Sequence, residues 1–358
     1  MNFVQLNSGF TLFLSLLVEA FPFLLLGVLF SALLQFFVDE RKLVQWMPRG
    51  AFLGALFGSC IGFLFPVCEC GNVPVARRLL MQGAPSSVAI GFLLGAPTIN
   101  PIVIWATWTA FRDQPEIVFL RIGCSLAIAT LIGWVFSFQR DLRPLLQPAV
   151  ALAMPIKSRE PRSAKDIKAE SNPSLLQSGT YFLGQSNQPI DLVEFQQMAA
   201  AAIADKPLAY KLNLMLDAMI QEMRELGGVL ILGSAIAAAV QVFVPREAVL
   251  ALGQGPVSSI VAMMLLAAIV SICSTVDAFF ALSFSATFTT GSLLAFLVFG
   301  PMIDLKGIGL MLAIFKPRAV FYLFALAGSL TFLFALFINL YVIVMTIFKV
   351  NLRFRFHQ

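Results

Sequence analysis

Apolar residues fall along this chain in long unbroken runs, not at amphipathic or alternating spacing. The runs cover about 10–38, 50–67, 84–111, 117–138, 226–245, 256–272, 288–315 and 319–347. Most approach or exceed the ~18 residues a helix needs to cross a bilayer. Between the fourth and fifth runs lies a polar region, 139–223, containing SREPRSAKDIKAESNPS from Ser158 to Ser174 and then a helix-like amphipathic stretch from Asp191 to Leu226. The pattern predicts an all-α polytopic membrane protein of about eight transmembrane helices in two halves. Residues 1–138 form the first membrane repeat, 139–223 a cytoplasmic linker with a juxtamembrane helix, and 224–358 the second repeat with a short C-terminal tail. The Pro, Ser and charge content of 144–190 predicts the least ordered part of the chain. The first run has no basic segment before it and is too long for a signal-peptide core, so it is read as a retained span.

The halves match one another. EAFPFLLLGVLFSALLQFFV from Glu19 aligns with ELGGVLILGSAIAAAVQVFV from Glu225, pairing Glu19 with Glu225, Gly27 with Gly233 and Gln35 with Gln241. AIGFLLGAPTIN from Ala89 aligns with LLAFLVFGPMID from Leu293, pairing Pro97 with Pro301 and Asn100 with Asp304. Agreement at polar and Pro positions indicates internal duplication, a feature of transporters. Within each half the third span is interrupted, by GAPTINP at Gly95–Pro101 and by FGPMIDLKG at Phe299–Gly307. Proline removes a backbone donor and disfavours helix before it, and Asn100 or Asp304 is placed to cap the helix that restarts. The alternative is a pair of ordinary proline kinks.

Composition narrows the chemistry. The chain has 358 residues, 59% hydrophobic and 12% charged, about half the charged fraction of a soluble protein. Its one histidine, His357, lies in the tail, so soft-ligand chemistry falls to the cysteines Cys60, Cys68, Cys70, Cys124 and Cys273. None lies in the linker, which is not the pattern of a secreted disulfide framework. No phosphate-binding loop, dinucleotide turn, zincin helix or nucleophile elbow is present, so neither enzyme nor ATP-driven chemistry is expected of this chain alone. Basic residues after the fourth run (Arg140, Arg143, Lys157, Arg159) and at the end (Lys349, Arg353, Arg355) predict that linker and tail both face the cytoplasm. Four crossings per half then make the repeats parallel; a re-entrant or additional crossing led by CECGNVP makes them inverted.

PVCECGNVPVARRLLMQGAPSSVAIGFLLGAPTINP in the first half and CSTVDAFFALSFSATFTTGSLLAFLVFGPMIDLKG in the second resemble the paired signatures of the YraQ-type predicted permeases, a family that includes the ArsP organoarsenical efflux permeases. The resemblance covers both halves but not the linker, and implies a multi-pass permease of the bacterial cytoplasmic membrane. Residue by residue it marks Cys68, Cys70, Gly71 and Pro74, then Pro97, Asn100 and Pro101, and in the second half Cys273, Ser274, Asp277, Pro301, Asp304 and Lys306. The chain departs from the pattern at Glu69, where a small residue is usual between the cysteines, and at Thr275, where an acid is usual.

Candidate substrate-pathway residues are therefore Cys68, Cys70, Asn72, Asn100, Cys273, Ser274, Asp277, Asp304, Lys306, Glu19 and Glu225. Cys68, Cys70 and Cys273 read as soft-ion ligands facing one cavity or as small packing residues. Asp277 and Asp304 read as pathway carboxylates, or Asp304 as the structural partner of Lys306. Arg77 and Arg78 are topogenic charges or an anion-attracting mouth. Expected partners are the lipid bilayer and a small inorganic or organometalloid solute, without nucleic acid or cofactor; an accessory membrane or periplasmic subunit is left open. The function expected is that of a secondary permease exporting a soft metal or metalloid. The alternatives are a membrane thiol oxidoreductase and a non-transporting membrane subunit that recruits a partner.

Overall fold

The structure is a computed structural model that describes residues 3–37, 47–48, 50–64, 68–139, 142–153, 182–183, 189–190, 208–243, 255, 257–285 and 287–355. The helices of the first half are α1 (Phe3–Phe37), α2 (Ala51–Ile61), α3 (Glu69–Met81), α4 (Ser86–Gly95), α5 (Pro101–Ala110) and α6 (Pro115–Ser137), with the short α7 (Pro148–Ala153) after them. Those of the second are α8 (Leu208–Phe243), α9 (Ser258–Val270), α10 (Asp277–Leu282), α11 (Thr290–Met302), α12 (Leu305–Met311) and α13 (Pro317–Arg355). Besides an isolated antiparallel bridge between Leu146 and Phe315, the strand pairing among the described residues is a two-residue ribbon, Phe182 opposite Ile190, within a linker most of which lies outside the described residues, as does most of the segment expected to be least ordered.

The protein is an all-α polytopic membrane protein. Among the described residues four stretches are long and apolar enough to cross a bilayer: Asn7–Leu34, Glu116–Ser137, Thr290–Met311 and Pro317–Tyr341. Shorter apolar helices, Ala51–Leu64, Ser86–Gly95, Pro101–Ala110 and Ser258–Val270, lie between them. The run 50–67 thus contains a helix of 11 residues and one 3₁₀ turn, Gly62–Leu64. At 1.5 Å per residue α2 rises only about 17 Å, too little to cross the ~30 Å hydrocarbon core.

The long helices α1 and α8 pack together in opposite directions. A Cβ on Gly9 would meet Val242, Leu16 packs with Ala237 and Ala238, and Ser31 Oγ donates to the Glu222 carboxylate at 2.9 Å. Numbers rise along one helix as they fall along the other. The two helices that contain the matched sequences are therefore antiparallel, against the parallel arrangement inferred from the basic residues. The described start of the linker and the described end of the tail lie at opposite ends of the last helix. Gln147 N and Lys316 N donate to Ile314 O and Leu145 O, both at 2.8 Å, which pins the start of α13 beside the start of the linker. From there α13 runs as one helix of 39 residues, about 58 Å at 1.5 Å per residue, so its basic end lies at the other side. The expected boundary at 223/224 falls inside α8, which continues from the juxtamembrane stretch into the apolar run without interruption.

Small residues set the close contacts, as in membrane interiors where packing rather than the hydrophobic effect joins helices. A Cβ on Gly27 of α1 would overlap the Gly71 carbonyl at the start of α3, so glycine lets α3 lie directly on α1. Both interrupted spans restart by the same device. Asn100 Oδ1 accepts from Ile102 N at 2.8 Å, with Pro101 as first helical residue. Asp304 Oδ1 accepts from Gly307 N at 2.6 Å after Pro301 and an extended Ile303. These are breaks with capped restarts, not kinks.

Candidate functional site

The two cysteine motifs open short helices. Cys68 is the N-cap of α3, and its carbonyl accepts the N–H groups of Gly71 and Asn72, each at 3.1 Å. The Cys273 carbonyl accepts those of Val276 and Asp277 at 2.9 and 3.1 Å. Before Cys273, α9 ends on Ser271 in the left-handed region, φ 48°. That is a strained conformation for a residue with a Cβ, costing about 1–3 kcal/mol, and it aims Ser271 Oγ at Leu305 N, 3.1 Å away. The CSTVD turn is thereby tied to the restart at Asp304.

These turns assemble a buried cluster from both halves. Cys68 Sγ, Cys273 Sγ and a Glu69 carboxylate oxygen lie within 4.8 Å of one another. Lys306 Nζ stands 4.0 Å from Glu69 Oε1, with the two side chains 1% and 6% exposed. Cys70 is buried and interacts with the Cys68 thiol, yet it stays outside the 4.8 Å set, so the three thiols do not converge equally. Among the described residues Glu69 Oε2, Lys306 Nζ, Asp304 Oδ2 and Ser274 Oγ have no hydrogen-bond partner. Lys306 lies 4.0 Å from Glu69 and also interacts electrostatically with Asp304, whose other oxygen is committed to its helix cap.

Asp277 has a different partner. Arg121 Nη2 lies 2.6 Å from Asp277 Oδ2, Arg121 Nη1 lies 3.0 Å from Oδ1, and Nη1 also donates to Thr107 Oγ1 at 2.7 Å. This bidentate pair, with side chains 1% and 3% exposed, joins α5 and α6 of the first half to α10 of the second. Asn72 Nδ2 donates to Leu93 O, fixing α3 against α4. Glu19, half-buried on α1, lies within electrostatic reach of Cys273 and Lys306. Its sequence counterpart Glu225 is about half exposed and pairs with Arg77 at 2.9 Å. Cys60 and Cys124 are free and outside the cluster.

Two residues were missing from the sequence-derived set. Glu69 stood out only as a departure from a pattern, although a carboxylate between two intramembrane cysteines is itself costly. Arg121 is the single charge in the run 117–138, and that isolation was the available signal.

The profile of the family described as predicted permease (ArsP_1) matches residues 5–340. The UPF0718 protein YcgR of Bacillus subtilis is 41% identical over 335 residues, 92% of this chain and 97% of that protein. A protein of Streptococcus mutans named "Putative two-component membrane permease complex subunit" is 32% identical over 309 residues, 86% of this chain and 87% of its own. The UPF0718 protein YraQ of Escherichia coli is 24% identical over 130 residues, 36% of this chain and 37% of its own. No solved structure matches. On a match that spans nearly the whole chain, this multi-pass bacterial membrane protein belongs to the predicted permease family.

Proposed function

We propose that the chain is a secondary permease that exports a soft metal or metalloid species along a pathway between two inverted repeats, residues 1–138 and 224–358, connected by 139–223. The observation that carries the reading is the buried cluster of Cys68, Glu69, Cys273, Asp304 and Lys306, contributed by both halves at the ends of short helices. Ionisable side chains are costly inside a bilayer and mark solute pathways, and discontinuous helices meeting between repeats are where transporters place their sites. The antiparallel crossing of α1 and α8 supports inversion. The chemistry of the cluster is that of binding and passage rather than catalysis.

A deletion strain supplies the test. It is expected to accumulate at least one species from a panel of soft metals and trivalent metalloids, with export restored by the wild-type chain but not by Cys273→Ser at equal membrane abundance. Unchanged accumulation across the panel contradicts the reading.

A second reading is favoured by one observation, that a relative covering most of this chain is named as a subunit of a permease complex. On that reading the chain transports only with a second subunit. Native mass spectrometry of the protein extracted from its own membrane distinguishes the two.

A further inference from the structure

Resting on the permease reading, we infer that the cluster is a mixed sulfur and oxygen site for a borderline divalent transition-metal cation of the zinc and cadmium class, with Cys68 Sγ, Cys273 Sγ and the Glu69 carboxylate as its three protein ligands and a fourth position open for loading and release.

Geometry comes first. The three ligand atoms already lie within 4.8 Å of one another. Tetrahedral zinc, with bonds of about 2.3 Å to sulfur and about 2.0–2.2 Å to oxygen, needs ligand atoms roughly 3.6–3.8 Å apart. Side-chain movement of about 1 Å closes the set around an ion. Three protein ligands leave the fourth tetrahedral position open to water or to an incoming ligand, whereas four closed ligands make a structural site.

The donor set selects the ion. Inorganic trivalent arsenic takes three sulfurs, and Cys70, the third sulfur, stays outside the set while a carboxylate occupies that place; a monosubstituted organoarsenical takes two sulfurs and has no bond left for the carboxylate. Carboxylate is a poor ligand for Cu(I) but an ordinary one for zinc. The charges point the same way. Glu69, Asp304 and the half-buried Glu19 outnumber Lys306, which disfavours an oxyanion. Coordination exchanges three metal–water bonds of the hydrated ion for two metal–sulfur bonds and one metal–oxygen bond, breaks two S–H bonds and releases two protons to water. The loaded core of one divalent cation, two thiolates and one carboxylate carries a single negative charge, which the Lys306 ammonium 4.0 Å from Glu69 balances.

The second, independent observation is the unsatisfied polar atoms. Glu69 Oε2 and Lys306 Nζ have no hydrogen-bond partner among the described residues although both side chains are more than nine-tenths buried. Leaving such groups unmet is costly, and a bound cation at Glu69 satisfies the carboxylate.

The full-length protein in lipid nanodiscs, loaded with zinc alone, is examined by X-ray absorption at the zinc edge. The expected first shell is two sulfurs at about 2.3 Å with oxygen at about 2.0–2.2 Å; three sulfurs, or none, overturns the assignment. Cadmium titration followed by the near-ultraviolet thiolate-to-metal band then isolates Glu69. Glu69→Gln is expected to keep the band and to bind at least about tenfold more weakly, and unchanged affinity overturns Glu69 as a ligand. A trivalent organoarsenical that displaces zinc and binds Glu69→Gln as well as wild type overturns the divalent class. The two readings fail separately. Solute flux by a protein whose zinc shell lacks sulfur refutes this site and leaves the permease, whereas the expected shell without flux of any solute upholds the site and refutes the permease.

Discussion

The Arg121 and Asp277 pair is a buried bidentate link between the halves. Its two hydrogen bonds of 2.6 and 3.0 Å and the further 2.7 Å bond to Thr107 satisfy both carboxylate oxygens and the facing guanidinium nitrogens. With side chains 1% and 3% exposed, water cannot replace a lost partner. Asp277→Asn or Arg121→Gln alone therefore strands a buried charge, at a cost of about 3–5 kcal/mol, roughly two to three and a half decades in the folding equilibrium at ~1.4 kcal/mol per decade. The double variant carries neither charge, retains amide hydrogen bonding across the same gap and is expected close to wild type. Reversible unfolding by SDS in mixed micelles measures all three as a double-mutant cycle. Wild-type stability of Asp277→Asn, or a double variant as unstable as the sum of the singles, refutes the account. The pair also changes how Asp277 is tested. Asp277→Asn alone confounds loss of a pathway charge with loss of a structural link, so flux is compared between wild type and the double variant.

Other outcomes follow from single contacts. Gly27→Val drives a side chain into the Gly71 carbonyl; overpacking of this kind costs about 1–3 kcal/mol, read as lower folded yield on fluorescence-detected size exclusion. Because Cys68 Sγ and Cys273 Sγ lie within 4.8 Å, a membrane-permeant oxidant should join them, and a chain cut at a protease site inserted between residues 154 and 181 should then run as one species on a non-reducing gel; separation of the halves contradicts the cluster. Asp304→Asn keeps the cap acceptor for Gly307 N, so it is expected to insert normally and to abolish flux per inserted molecule, whereas Asp304→Ala additionally loses about 1 kcal/mol of helix stability; full flux by Asp304→Asn removes the carboxylate from the pathway.

Much of this architecture is local and can be read along the chain. The run 117–138 became α6, and GAPTINP and FGPMIDLKG became breaks with capped restarts because proline and a cap residue act within a few positions of themselves. What escaped reading depends on contacts distant in sequence. Arg121 and Asp277 are 156 positions apart, and nothing near either names the other. Glu19 and Glu225 are equivalent in the aligned segments yet differ in the fold, one near the thiols and the other at a half-exposed pair with Arg77. The order of the cysteines also concealed their grouping: Cys70 interacts with the Cys68 thiol, but the set within 4.8 Å is completed by Glu69 and by Cys273 of the second half. The mutual direction of the two long helices was not legible for a physical reason. Basic residues bias orientation statistically, whereas the opposed packing of α1 on α8 and the single crossing of α13 decide it.

Flux per inserted molecule tests most directly whether solute passes through the buried cluster. Wild type, Cys273→Ser and Asp304→Asn are reconstituted at equal density in sealed vesicles, and uptake is followed for zinc, cadmium and a trivalent organoarsenical, each carried separately. Saturable flux of at least one of these by wild type is expected, with its loss in both variants at unchanged insertion. Wild-type flux in both variants would contradict passage through the cluster.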